Sequence, residues 1–183
     1  MERMKMRETE NQLHAMKYVD FSLRFLVIPL TAASCWVMVR NKQYSDGYGK
    51  VEFSNLSGFK YLVCINGISA VYAFVSFALS IFKCFTKDWI LYLFDQVVAY
   101  LMVTSMAAVV ELVYLANEGD AKVSWSSACN YYEKFCNRAQ VSLALHVMAM
   151  VCFLILSLIS AYKTFSKFDV PSYPSKEIGE QED

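Results

Sequence analysis

Ionisable residues inside long apolar stretches are the part of this sequence that could do chemistry. Five residues are candidates: Asp20, Arg24, Asp95, Glu111 and His146. A charged side chain at the centre of a bilayer costs about 2.5 to 3.5 kcal/mol on insertion scales, so it needs a partner, water or a function. Together such residues could form ion pairs, relay protons or contact a transported substrate.

Arg24 and Asp95 lie at the same depth if their apolar stretches are read as membrane-spanning helices. Each follows the start of its stretch by six residues, which is about 9 Å below the same membrane surface. The short Asp95 side chain cannot reach that surface, whereas Arg24 could extend toward it or pair with Asp20, four residues earlier on its own helical face. We expect an Arg24–Asp95 ion pair that determines how the first and third spans pack.

Glu111 and His146 form a second, weaker set near the opposite membrane surface. Glu111 lies at the far end of the third apolar stretch, and His146 lies five residues into the fourth, which returns from that surface. The two could meet, but both are close enough to the headgroups for ordinary hydration, which we take as the better interpretation. With Asp95 they are the residues that a small transporter or channel would use, and such a protein is the alternative to a structural role.

Four apolar stretches carry these residues. They are residues 18–39, 61–82, 89–116 and 141–162. About twenty residues of helix cross the roughly 30 Å hydrocarbon core of a bilayer. Alternation with a period of two is absent, which disfavours a β-barrel, and the stretches lack the polar faces of a soluble bundle. The sequence therefore predicts an all-α fold, an integral membrane four-helix bundle at 18–167, with tails at 1–17 and 168–183.

Both tails lie on one side of the membrane because the number of spans is even. Outside the spans, Lys and Arg number nine on that side and seven on the other, an excess that favours cytosolic termini by the positive-inside rule. The N-tail, 1–17, lacks the apolar core of a signal peptide, so we expect the first span to act as its own signal anchor. The C-tail, 168–183, contains two prolines and an acidic run, and we expect it to be disordered.

Three further features lie in or next to the loops. Cys129 and Cys136 are seven residues apart, about 10.5 Å on a continuous helix, which exceeds the reach of a disulfide. Either the chain bends and they pair, or they stay reduced; we expect the bend and the disulfide, in an oxidising compartment. Asn55 begins a glycosylation sequon, although its closeness to the membrane disfavours modification. Cys84, beside Lys83, is a candidate for palmitoylation on the cytosolic side.

Several classes of function find no support in the residue patterns. A net charge of zero argues against a nucleic-acid binder that works by neutralising phosphates. The chain contains no Cys-x-x-Cys, no His-Glu-x-x-His, no Gly-rich phosphate loop and no nucleophile elbow. We therefore expect a protein that is not an enzyme and that uses neither a metal nor another cofactor.

A tetraspan with an Arg in the first span, an Asp in the third, and Trp125, Cys129 and Cys136 in one loop resembles the plant Casparian strip membrane domain protein-like (CASP-like) family. That family is itself similar to the MARVEL tetraspans of animal junctions and vesicles. By this resemblance Arg24 and Asp95 fall on the family's intramembrane Arg and Asp. Cys129 and Cys136 fall on its outer-loop cysteine pair.

The resemblance covers about residues 16–167 and implies a MARVEL-like, multi-pass protein of the plasma membrane with both termini cytosolic. It also implies homo- and hetero-oligomers with related family members, embedded in membrane lipid. In the founding members it implies scaffolds that assemble into an immobile platform and organise local cell-wall modification. The loop 41–60 departs from the longer signature of those members, so the resemblance does not extend to Casparian strip formation. We expect a scaffold that oligomerises laterally to form or support a membrane subdomain.

Overall fold

The computed structural model describes residues 2–45, 49–81, 88–119 and 127–166. Within these residues, four long helices make up almost all of the regular structure. They are α1 (Glu2–Val39), α2 (Ser57–Ile81), α3 (Asp88–Glu118) and α4 (Glu133–Phe165). Each helix includes a segment that is long and apolar enough to cross a membrane. The prediction of an all-α membrane protein with four spans is confirmed.

The helices extend beyond the predicted spans at several ends. Helix α1 begins at Glu2, so most of the predicted N-tail, 1–17, continues the first helix. Helix α2 begins four residues before residue 61, and α4 begins eight residues before residue 141. Hydropathy misses these turns because polar residues outside the hydrocarbon remain helical, and an acidic residue such as Glu133 is favourable in a first turn.

A short β-hairpin that the sequence analysis did not predict joins α1 to α2. Strands β1 (Lys42–Ser45) and β2 (Gly49–Glu52) pair antiparallel, and a 3-10 turn at Phe53–Asn55 leads into α2. Gly49 has a positive φ of 85°, which other residues rarely adopt. We call this the hairpin end of the bundle and the opposite end the termini end.

The hairpin is attached to the start of α4 by hydrogen bonds. The backbone N–H of Phe135 donates to the Gln43 side chain at 2.8 Å, and the Asn41 amide donates to the Phe135 carbonyl at 2.9 Å. The Tyr132 hydroxyl donates to the carbonyl of Gly49 at 3.2 Å. The first of these bonds satisfies the Phe135 N–H, which lies in the first turn of α4 and has no partner within the helix.

The four helices pack as an up-and-down bundle in which each contacts its neighbours in chain order and α4 returns to α1. Helices α1 and α3 therefore face each other across the centre of the bundle. Two apolar clusters fill the interior, one central and one toward the hairpin end. The central cluster includes Val27, Met102, Phe153 and Leu156, and the second includes Met38, Phe59, Leu62 and Phe135. Helices α2 and α3 approach closely at Gly58, where a Cβ atom would lie 2.2 Å from Leu112 Cδ1.

Candidate functional site

Asp95 on α3 has no exposed surface, and its carboxylate accepts hydrogen bonds from the other three helices. Arg24 on α1 donates from Nη1 to Oδ1 at 3.2 Å and from Nη2 to Oδ2 at 2.7 Å. The hydroxyl of Tyr72 on α2 donates to Oδ1 at 2.5 Å, and that of Ser160 on α4 donates to Oδ2 at 2.5 Å. We call Arg24, Tyr72, Asp95 and Ser160 the carboxylate hub.

Helical periodicity directs the two charged residues of the hub into the bundle. Buried residues recur every three or four positions on α1 and on α3. On α1 they are Arg24, Val27, Thr31, Ser34 and Met38; on α3 they are Asp95, Val98, Met102, Ser105 and Val109. The spans 18–39 and 89–116 both start at the termini end, and Arg24 and Asp95 each lie six residues past the start of their span, so they reach the same level. The Arg24–Asp95 pair consequently connects two helices that are diagonal in the bundle.

The buried carboxylate of Asp95 has a hydrogen-bond donor for each of its acceptor positions. A carboxylate offers about four lone-pair positions, and Asp95 receives four donors. A bidentate guanidinium contact is among the stronger hydrogen-bonded pairs in proteins. Removing one partner of a buried pair typically costs about 3 to 5 kcal/mol, because the other charge is left without compensation. The arrangement therefore ties the positions of all four helices to one side chain.

Asp20 extends the hub toward the termini end. Its Oδ1 lies 3.4 Å from Nε of Arg24, and its Oδ2 lies 3.0 Å from Nζ of Lys163. Arg24 therefore makes the pair with Asp20 that the sequence left open as well as the expected pair with Asp95, and it stays buried instead of extending toward the membrane surface. From the termini end inward, the charges are those of Lys163, Asp20, Arg24 and Asp95. They alternate in sign, so each has an opposite charge next to it.

A second polar cluster lies between the hub and the hairpin end, and we call its side chains Ser34, Asn66, Ser142 and His146 the amide network. Nδ1 of His146 is 2.9 Å from Oδ1 of Asn66, and Nε2 is 3.1 Å from the Met102 carbonyl. Asn66 donates to Ser34 Oγ at 3.1 Å, and Ser34 Oγ donates to the Ser142 carbonyl at 2.8 Å. These contacts again involve all four helices.

The expectation that His146 is hydrated near the headgroups is wrong. His146 has no exposed surface, because its face of α4 is turned into the bundle, where Asn66 and the Met102 carbonyl contact its ring. Glu111 is exposed on α3, whereas both ring nitrogens of His146 are engaged inside the bundle. The structure does not bring these two residues into one site.

At the hairpin end, Cys129 and Cys136 form a disulfide with their Cα atoms 5.7 Å apart. Cys129 belongs to a 3-10 turn, Ala128–Asn130, and Cys136 to the first turn of α4. The chain bends between these elements, which shortens the separation below that of a continuous helix. An apolar cavity of about 340 Å³ adjoins the disulfide, and residues of α2, α3 and α4 complete its lining.

Asn55 and Cys84 are the two candidate modification sites in the sequence. Asn55 is exposed at the end of the 3-10 turn, and its amide donates to the Lys50 carbonyl at 3.5 Å. Cys84 lies outside the described residues, as do Trp125 and the C-tail 168–183. In the described part of the chain, no group of three His, Cys, Asp or Glu side chains is arranged to hold a metal ion.

Sequence reasoning missed Tyr72, Ser160 and Asn66, which complete the two polar clusters. The available signal was a polar side chain within an apolar stretch at helical spacing. Ser157 shows why that signal is ambiguous. A serine in an apolar helix can serve simply as a small residue that permits close helix approach, but the Ser157 hydroxyl donates to Gln96 of α3.

A family model described as the Casparian strip membrane protein domain matches residues 14–152 of this chain. The chain is 50% identical over 166 residues to CASP-like protein 2D1 of Populus trichocarpa, covering 90% of this chain and 98% of that protein. It is 48% identical over 167 residues to CASP-like protein 2D1 of Ricinus communis, covering 90% and 95%. For CASP-like protein 2D1 of Arabidopsis thaliana the identity is 42% over 158 residues, covering 86% and 81%. No solved structure matches the chain.

Proposed function

Because the chain belongs to the Casparian strip membrane protein domain family, we propose that it is a non-enzymatic tetraspan scaffold of the plasma membrane. It assembles laterally with copies of itself and with related family members. The assembly forms or supports a membrane subdomain and is linked to local modification of the cell wall. Both termini lie in the cytosol.

The carboxylate hub is the observation that carries this proposal. A single buried carboxylate, Asp95, is bonded to α1, α2 and α4, so the helices cannot rotate separately without breaking a charged hydrogen bond. A bundle held in this way presents the same outer surface in every copy. Constant surface geometry is what a repeating lateral assembly requires.

The helical turns between the carboxylate hub and the amide network favour the interpretation as a scaffold over that as a transporter. Val27, Met102 and Phe153 have no exposed surface and lie in the helical turns between the carboxylate hub and the amide network. The buried hydroxyls of Thr31 and Ser69 in the same turns donate to the Val27 carbonyl and to the Met102 sulfur, and not to either cluster. A proton or substrate path needs polar groups or water at successive depths, and apolar side chains interrupt such a path. Each polar cluster therefore acts as a packing contact between helices.

The surface of the bundle fits contact with lipid and with other copies. Large apolar side chains are exposed on all four helices; examples are Phe25, Val71, Tyr100 and Leu158. In a bilayer such side chains face acyl chains or a neighbouring bundle. Association between bundles then rests on shape and packing rather than on the hydrophobic effect.

The disulfide supports the proposed orientation. Disulfides persist in oxidising compartments and are rare in the cytosol, which argues for the hairpin end, with Cys129 and Cys136, on the outer side. An even number of spans then puts both termini in the cytosol. Exposed Asn55 provides a second readout, because glycosylation of its sequon requires the same orientation.

Localisation and photobleaching of a fluorescently tagged full-length chain in plant cells test the scaffold role. We expect discrete plasma-membrane patches with slow fluorescence recovery. Glu111→Gln, an exposed change, should behave as the wild type, whereas Asp95→Asn should lose the patches. Uniform fluorescence with fast recovery in the wild type would contradict lateral assembly.

Reconstitution of the protein into liposomes tests the alternative function, a small transporter or channel. A scaffold should produce no saturable flux of protons or small ions across the vesicle membrane. Saturable, pH-dependent flux that Asp95→Asn abolishes and Glu111→Gln preserves would overturn the scaffold in favour of a transporter.

A further inference from the structure

A basic crevice lies on the outside of the bundle at the hairpin end, between α1 and α4. Its volume is about 760 Å³. The lining divides into a polar half and an apolar half. The polar half is Arg40, Lys42, Asn137 and Arg138, and the apolar half is Trp36, Val37, Val39 and Val141.

The crevice carries an excess of positive charge. Arg40, Lys42 and Arg138 are exposed cations, and none of the described residues that line the crevice is acidic. Glu52, across the hairpin from Lys42, is bonded to Lys50 instead. The hydrogen bond from Lys50 is the main cause of the lowered pKa of the Glu52 carboxyl, and Lys42 contributes least.

One of the cations is held against the aromatic ring that faces the membrane. The Arg40 guanidinium carbon lies 4.8 Å from the centroid of the Trp36 ring, a cation–π contact that limits the side chain's freedom. Trp36 is itself 63% exposed. Tryptophan is enriched where the hydrocarbon meets the headgroups, because its ring is apolar and its N–H is polar.

The depth of the crevice places it at the membrane surface. Val39 is the last residue of the apolar segment of α1, and Val141 is the first apolar residue after the polar turns of α4. Both are nearly half exposed. The apolar half is therefore continuous with the lipid-facing surface, and the polar half begins where that surface ends.

We propose that this crevice binds the phosphodiester headgroup of an anionic lipid from the leaflet at the hairpin end, which is the outer leaflet in the orientation proposed above. Arg40 and Arg138 contact the phosphate oxygens, since a guanidinium matches that geometry with paired N–H groups. Lys42 and Asn137 supply further donors, and an acyl chain lies along Trp36 and Val39. Clustered Arg and Lys side chains at a membrane surface attract anionic headgroups over about a Debye length.

The apolar half distinguishes a lipid from an anionic polysaccharide. A polysaccharide in the crevice would leave the aliphatic side chains of Val39 and Val141 facing a polar chain, whereas a lipid satisfies both halves at once. The site does not depend on lateral assembly, because all of its residues belong to one copy. Failure of the scaffold proposal would leave the lipid site intact, and the reverse is also true.

Lipid retention by the full-length protein tests the site. The protein is reconstituted in phosphatidylcholine vesicles that contain a minor fraction of phosphatidylglycerol, then extracted, and the lipid that remains bound is quantified by mass spectrometry. We expect the wild type to enrich phosphatidylglycerol over phosphatidylcholine. Arg40→Gln/Arg138→Gln should lower that enrichment about tenfold or more.

A matched variant controls for general surface charge. Lys60→Gln/Lys134→Gln removes the same charge at the same end, from exposed residues outside the crevice, and should retain the enrichment. Equal loss in the two double variants, or no enrichment in the wild type, would overturn the site. Displacement of phosphatidylglycerol by a soluble oligogalacturonate that binds the wild type but not the Arg variant would assign the crevice to a wall polyanion instead.

A measurement on the wild type alone covers the case in which a variant fails to fold. Bromine-labelled phosphatidylglycerol should quench tryptophan fluorescence more than bromine-labelled phosphatidylcholine at the same fraction in the vesicle, because Trp36 lines the crevice. Equal quenching by the two lipids would count against the proposal. Trp36→Phe should remove the difference between them.

Discussion

Tyr72 donates its hydroxyl hydrogen to Oδ1 of Asp95 at 2.5 Å, the same oxygen that Nη1 of Arg24 approaches at 3.2 Å. The other oxygen is shared in the same way by Arg24 and Ser160. Each carboxylate oxygen therefore joins the central ion pair to one further helix. Because of this sharing, a change at any member of the hub alters contacts on at least two helices.

Asp95→Asn should destabilise the bundle by about 3 to 5 kcal/mol, because Arg24 remains buried without a full opposite charge. The measurement is thermal unfolding of the purified protein, with surface delivery in cells as a second readout. Arg24→Leu should be similarly harmful, since it leaves Asp95 unpaired. Normal delivery and unchanged unfolding in both single variants would rule out the structural role of the pair.

The double variant Arg24→Leu/Asp95→Leu should be more stable than either single variant. Replacing both members of a buried ion pair with apolar groups removes the uncompensated charge, and such exchanges are often close to neutral. Tyr72 and Ser160 lose their acceptor in this variant, so recovery should be partial. Unfolding temperatures of the single and double variants, compared as a mutant cycle, measure the coupling.

Tyr72→Phe should destabilise the protein by about 1.5 to 3 kcal/mol, the usual value of a hydrogen bond to a charged group. Ser160→Ala removes the corresponding donor on α4 and should have an effect of similar size. Tyr100→Phe is the matched control, because Tyr100 is exposed on α3. An effect of Tyr72→Phe no larger than that of Tyr100→Phe would show that the hydroxyl adds nothing to the hub.

Asn66→Leu should cost about 1 to 3 kcal/mol, because it leaves buried polar atoms of His146 and Ser34 without a partner. The effect should appear as a lower unfolding temperature and as faster proteolysis of the detergent-solubilised protein. Ile68→Leu, on the exposed side of α2, should change neither property. Wild-type stability of Asn66→Leu would mean that water or a rearranged Ser34 replaces the amide.

Cys129→Ser should lower stability by about 2 to 3 kcal/mol in the loop-closure description of a short disulfide. A reductant should have the same effect on the wild type and none on the variant. Cys64→Ser, at an exposed residue of α2 that the structure records as a free cysteine, is the control. If reductant leaves the unfolding temperature of the wild type unchanged, the disulfide does not stabilise the hairpin end.

The lengths and hydropathy of the apolar stretches predicted the four-helix fold, and residue positions within them predicted the Arg24–Asp95 pair of the hub. Length and hydropathy suffice for four spans because a helix must satisfy its own backbone inside a bilayer. Depth alone brought Arg24 and Asp95 to one level. The same counting was wrong for His146, because depth along a helix does not show which of its faces is turned into the bundle.

The sequence by itself determined the number of spans, their helical character and the shared depth of Arg24 and Asp95, since these depend on composition and on the rise of a helix. Only the tertiary structure decided which side chains from α2 and α4 reach that level, because rotation of one helix against another leaves no trace in hydropathy. It also placed Arg40 and Arg138, nearly one hundred positions apart in the chain, on either side of one crevice. Residues so far apart in the chain become neighbours only when the helices pack, because packing makes all of the contacts between helices at once.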